Sequence, residues 1–287
     1  MQFDSLSDFL STGADWLAKG PVGLIFAEDT IELASTIAHQ RKNGFRRIIV
    51  LGKHEPPPGS MADGRVAHVV VDLFEDDAVS KALNACIDAV PEVWFGYCYN
   101  AEYLYYPFCE HRTIGELIGF CEQERRASIL TYVVDLYAGD LTRHPGAVAL
   151  DEACLDSSGY YALARYTRDG KLLDRQMDFF GGLRWRFEEH VPYSRRRIDR
   201  IAVFKATKGL AIGPDHLFNM EEYNTFQCEW HHSPTAALCS FRTAKALMRN
   251  PGSRSDIRTF TWRNSVPFSW NSHQLLDLGL MEPGQWF

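Results

Sequence analysis

The side chains of this 287-residue chain best suited to chemistry stand at the ends of apolar runs. Glu28 and Asp29 follow the run 22–26, Asn100 and Glu102 form the polar break to which the run 93–95 leads, and Asp135 closes 129–134. Open α/β sheets bind ligands outside the carboxyl ends of their strands, so these positions are where a site is expected. Carboxylate and amide oxygens can ligate Mg²⁺ or Mn²⁺, and a carboxylate can take the proton of an attacking hydroxyl. Arg184 and Arg186 alternate about Trp185, so in an extended segment both face one way and suit a diphosphate. His216, His231 and His232 add imidazoles that can complete a metal site. Each residue also has a plain role open to it. Asp29 and Asp135 can cap helices or turns, Asn100 can be a turn residue and Glu102 a surface acid. The arginines can line the surface, and the histidines can be ordinary core or surface side chains.

The elements that must position these residues follow from periodicity and punctuation. Residues 1–19 carry apolar positions at helical spacing, with Asp4 or Ser5 as cap. A strand at 22–26, a helix at 31–43 started by Asp29 or Thr30 and stopped at Gly44, and a strand at 47–51 form a βαβ unit. After the Pro- and Gly-rich loop 52–64 come a strand at 66–71, a helix at 76–89 and a strand reaching Trp94 and Phe95. This alternation predicts an α/β fold, a doubly wound, Rossmann-like sheet flanked by helices, in a single domain with an irregular C-terminal half. Thr113 and Glu116 make a capping box for a helix at 114–124. A buried strand is expected at 129–137, hairpins or irregular structure at 138–174, a strand at 201–205, a helix at 235–248 and a short apolar segment at 274–281. Neither a GxGxxG turn nor a GxxxxGKS loop is present, against a dinucleotide fingerprint and a P-loop.

Thirty basic against 37 acidic residues leave a net charge of −7, so no global field draws the chain to nucleic acid. Arg195 to Arg197 with Arg200 form one basic cluster, a solvated loop face or a local phosphate contact. No apolar run approaches the roughly 20 residues of a membrane span. The first residues lack the basic region of a signal peptide, which predicts a cytoplasmic protein. Seven cysteines without a CxxC pair predict reduced, mostly buried thiols.

Several motifs occur in a telling order: Tyr106-Pro107-Phe108-Cys109-Glu110-His111-Arg112, the strand end Asp135-Leu136-Tyr137, Gly181 to Arg186 (GGLRWR), Trp230-His231-His232 in an expected late strand, and Leu275 to Met281. Together with Ala38 to Arg41 and Asn43-Gly44-Phe45, they resemble bacterial family 2-like glycosyltransferases of the GT-A fold. Aligned on Tyr106-Pro107, that family's Asp-x-Asp-Glu falls on Tyr99-Asn100-Ala101-Glu102, a degenerate DxD. The resemblance implies an N-terminal helical extension at 1–21 and a GT-A-like domain at 22–287, with a nucleotide-binding half at 22–106 and an acceptor half at 107–287. It implies transfer from a nucleotide-sugar donor to a carbohydrate or lipid-linked acceptor. A divalent cation, Mn²⁺ or Mg²⁺, would be held by Asn100 and Glu102 with His216, His231 or His232. Glu28, Asp29, Arg184 and Arg186 would border the nucleotide, and Asp135 with Glu102 would be catalytic. Two alternatives stand beside it: metal-independent transfer with arginines in place of the ion, and an inactive glycosyltransferase-like module that binds a protein partner.

Overall fold

The apolar pentapeptides and hexapeptides become the centre of one sheet. The computed structural model describes residues 1–286. In chain order it contains β1 (Gln2–Phe3), α1 (Leu6–Leu17), β2 (Val22–Phe26), α2 (Leu33–Lys42), β3 (Arg47–Leu51), β4 (Val66–Val69), α3 (Ala78–Ala89), β5 (Trp94–Tyr99) and β6 (Glu102–Tyr105). Then follow α4 (Ile114–Gln123), β7 (Ser128–Ala138), β8 (Ala153–Asp156), β9 (Tyr161–Tyr166), β10 (Leu172–Phe180), α5 (Gly182–Arg186), β11 (Asp199–Lys205), β12 (Ala236–Ser240), α6 (Arg242–Arg249), α7 (Pro251–Asp256), β13 (Ser265–Pro267) and α8 (Ser272–Asp277). The main sheet runs β1-β4-β3-β2-β5-β11-β7-β12-β6, with β8 added to β7 and β13 to β8. Strands β4, β3, β2 and β5 are parallel, β11 is antiparallel to both its neighbours, and β12 is again parallel to β7. This is a Rossmann-like α/β sheet flanked by helices, as the alternation predicts, and antiparallel β11 and β6 make it mixed, as expected of a GT-A-like sheet.

Local chemistry explains most boundaries. Ser5 caps α1 by accepting from the Asp8 amide, and Thr113 and Glu116 form the full capping box of α4. Gly23 and Gly96 lie side by side on β2 and β5. A Cβ at Gly96 would stand 2.6 Å from the Phe45 ring, so the two glycines leave the groove in which Phe45 closes the core. All seven cysteines are free and six are buried. Among the described residues no helix is long and apolar enough to cross a membrane.

Three expectations change. Residues 235–248 are not one helix: Ala236–Ser240 is a fully buried strand, and only Arg242–Arg249 is helical. A short apolar run buried on both faces has no alternation to separate it from helix, so periodicity alone misreads it. The Gly181 to Arg186 segment is a helical turn, so the common face that Arg184 and Arg186 would share in an extended segment does not form. Trp230 to His232 lie in a loop, not in a strand.

His39 on α2 shows how packing sets stability against pH. Its Nε2 donates to the Leu104 carbonyl at 2.7 Å, and its ring meets Tyr103 and Tyr105. Burial pushes its pKa down to about 4. The unfolded chain takes up this proton below its ordinary value near 6.5, so the contribution is whole above that pH and is lost as pH falls toward 4. Going from pH 7.5 to 5 should cost about 2 kcal/mol through this group. Denaturation of His39→Gln at the two pH values should show that difference reduced by the same amount.

Candidate functional site

The carboxyl ends of β2, β5, β7 and β12 meet the amino end of antiparallel β11 at one edge of the sheet. The strand-end acids therefore gather there, but each has been given a partner. The Asn100 side chain is a strut: Oδ1 accepts from the Glu28 amide at 2.9 Å, and Nδ2 donates to Asp29 at 2.6 Å and to the Ile31 carbonyl at 2.9 Å. It fixes the turn between β2 and α2. Glu102 has no exposed surface. It accepts from Arg200 at 2.8 Å, the Tyr99 amide at 2.9 Å and the Ser240 hydroxyl at 2.9 Å. Burial raises its pKa, yet Arg200, the Tyr99 amide and Arg242 outweigh it and hold the carboxyl below its usual range.

Helix α6 supplies the other cations. Arg242 forks onto Glu28 at 2.6 and 2.9 Å and lies 3.7 Å from the centre of the Tyr99 ring. Lys245 and Arg249 reach Asp29 at 3.1 and 2.7 Å. Against burial, Lys245, the Ile31 amide and Arg249 keep Asp29 ionised below the ordinary carboxylate range. The spacing of 242, 245 and 249 puts all three on one helix face. That pattern is legible in the sequence, as is the neighbouring basic residue Arg200, but neither declares which acids it will meet.

Arg184 is the exception among the cations. Its Nη1 donates to the Arg197 carbonyl at 2.6 Å and its Nε to Thr243 at 3.2 Å, while the nearest acid, Asp135, stays 3.9 Å away. Burial, together with Arg200 and Arg242 and against Asp135, draws its pKa down. Asp135 accepts from the Leu183 amide through Oδ2 at 2.9 Å, and its buried Oδ1 has no hydrogen-bond partner. Burial pushes this carboxyl up, with Arg184 pulling the other way. The turn over it is made by Gly181 and Gly182, at φ +154° and +62°, and a Cβ on Gly182 would stand 2.8 Å from Asp135 Oδ2. Close approach requires glycine there.

His216 stacks on Tyr97 and shares a 3.0 Å hydrogen bond with its hydroxyl. Burial first, then Arg200, Arg242, Arg184 and Arg197, keep it far below its ordinary pKa, so the ring is neutral.

The expected metal ligands do not assemble. Asn100 and Glu102 have their oxygens engaged, and His216 is stacked on and bonded to Tyr97. His231 lies 3.2 Å from Glu124 at the end of α4, and His232 adjoins it in the same loop. Among the described residues no three His, Cys, Asp or Glu side chains are placed to hold an ion. The donor set does not fit a divalent cation. Arg184 and Arg186 also part company, because residues two apart on a helical turn point to different sides. Arg186 pairs with Asp156 at 3.0 Å and covers Trp262 at 4.7 Å.

No protein-family model and no curated protein matches the chain. Among solved structures, a Bacillus anthracis protein described as a glucose-1-phosphate thymidylyltransferase, in complex with a sucrose, is 9% identical over 64% of this chain and 71% of its own, with a TM-score of 0.32. A CMP:2-keto-3-deoxy-manno-octonic acid synthetase complexed with CTP is 8% identical over 91% of this chain and 86% of its own, with a TM-score of 0.30. Likenesses this distant carry no inference about activity.

Proposed function

We propose that the strand-end site binds the diphosphate of a nucleotide sugar with arginines instead of a metal ion, and that the chain transfers the sugar to a carbohydrate or lipid-linked acceptor. The observation that carries this reading is Arg184, a largely buried guanidinium at the sheet edge that Arg200 and Arg242 also reach, whose nearest carboxylate, Asp135, stays 3.9 Å away and bonds the Leu183 amide instead. A buried guanidinium without a counter-ion is costly, and a diphosphate supplies one. Residues 22–106 then form the nucleotide half, with Glu28 and Asp29 holding Arg242 and Lys245 in place, and residues 107–287 the acceptor half.

In the transfer, the bond from the anomeric carbon to the phosphate oxygen breaks and the leaving diphosphate keeps the electron pair. The acceptor oxygen bonds to that carbon and gives up its proton. Asp135, with one oxygen unpartnered and its pKa raised by burial, is the group to take it once the Gly181-Gly182 turn opens. Asn can keep the bond from Leu183, so Asp135→Asn should preserve the melting temperature and leave nucleotide affinity within about twofold, while turnover falls by roughly 10²-fold or more. Calorimetry and a sugar-transfer assay on the same preparation check both halves of that statement.

A second reading, a binding module without turnover, is favoured by the internal pairing of Glu28, Asp29 and Glu102. A thermal-shift screen with UDP, GDP, CMP and the UDP- and GDP-sugars tests the first step common to both. A nucleotide at 100 times its dissociation constant should stabilise the fold by about 2.7 kcal/mol. No shift with any of them overturns the nucleotide site; a shift without transfer selects the binding module.

A further inference from the structure

The opposite edge of the sheet carries a basic cavity that the strand-end site does not use. Lys19 precedes β2, Arg41 lies in the last turn of α2, Arg46 and Arg47 lead into β3, and Arg65 precedes β4. With Gly44 and Phe45 these five cations line a cavity of about 410 Å³. That volume lies within the range of small-molecule sites, roughly 300–1,000 Å³. We propose that this cavity binds a small soluble ligand carrying two or more phosphate groups.

Charge and preorganisation both point that way. The acid seen against these cations is Asp63, which is shared between Arg41 at 3.1 Å and Arg65 at 2.8 Å. Among the described residues neither Lys19 nor Arg46 has an acidic partner, and both are exposed. Arg41 is anchored by the Ser60 carbonyl at 2.5 Å. Arg47 is held by the Trp16 carbonyl at 3.3 Å and by the Trp16 ring at 5.1 Å, leaving further N–H donors for a ligand. Five cations facing one carboxylate repel one another, and a single phosphate does not balance them. The net charge of −7 opposes a long polyanion over its whole length. A short ligand inside the cavity feels mainly the local field, because exposed charges beyond about 8–10 Å are screened. Nucleoside polyphosphates and phosphorylated metabolites share this chemistry.

Isothermal titration with inorganic pyrophosphate and with ADP, in EDTA, tests the assignment on four proteins: the unsubstituted chain, Lys19→Glu/Arg46→Glu, Lys19→Gln/Arg46→Gln and Arg184→Gln. Both substituted groove side chains are exposed, and a Lys19→Gln/Arg46→Gln pair removes charge without reversing it. The groove event should weaken at least tenfold in the Glu pair, less in the Gln pair, and persist in Arg184→Gln, which separates it from the strand-end site. Tighter binding of ADP than pyrophosphate would mark a nucleotide as the occupant; equal binding would mark the phosphates alone. Equal affinity in the Glu pair and the unsubstituted chain, or no binding beyond an event lost in Arg184→Gln, overturns the proposal.

Discussion

Arg200→Met should lower the unfolding midpoint by about 10 °C, the largest stability effect expected of a single substitution at this site. Arg200 is the counter-ion of Glu102, both are buried, and the guanidinium also lies against the rings of Tyr97 and Tyr99. Removing one partner of a buried pair strands the other charge, at a cost of about 3–5 kcal/mol. For a chain of this size each kcal/mol moves the midpoint by roughly 2–4 °C. The pair itself contributes much less than its breakage costs, so Glu102→Gln/Arg200→Met should recover most of the loss. Calorimetric melts of the single and double variants decide this. A single variant melting within a degree of the parent would mean that Glu102 is not held as described.

Arg184→Gln should weaken nucleotide diphosphate binding by roughly 10- to 100-fold, since a charge-assisted hydrogen bond contributes about 1.5–3 kcal/mol. The same change should leave stability nearly untouched or improved, because it removes a buried cation whose nearest acid is 3.9 Å away. Opposite signs in affinity and stability mark a group held for a ligand rather than for the fold. Equal losses in both would assign Arg184 to packing.

The sheet was legible in the sequence wherever a pattern had one physical meaning. Alternating apolar runs and helix signals place β2 to β5, and Thr113 with Glu116 announces its capping box. Ala236–Ser240 was opaque because, buried on both faces like β2 and β5, it also runs through Phe241 straight into α6 with no glycine or proline to mark the change. At the site, position was legible and partnership was not. The acids at 28, 29, 102 and 135 do stand at one sheet edge, as the ends of apolar runs imply. That Glu102 would be saturated by Arg200 and Ser240, nearly a hundred or more positions away, depends on the insertion of antiparallel β11 and on β12 beside β6. The expected metal ligands failed for the same reason, since Asn100 and Glu102 look free until long-range pairing fills their oxygens. Arg186 parts from Arg184 because GGLRWR is a helical turn, and only an extended segment would have turned both one way.

The central claim is that arginines hold a nucleotide diphosphate without an ion. The most direct measurement is a calorimetric titration of the nucleotide found by thermal shift, in EDTA and then in Mn²⁺, on the unsubstituted protein and on Arg184→Gln. We expect the same affinity within about twofold in both solutions, and a loss of at least tenfold in the variant. Binding that appears only with Mn²⁺, or that is undiminished in Arg184→Gln, would contradict the account.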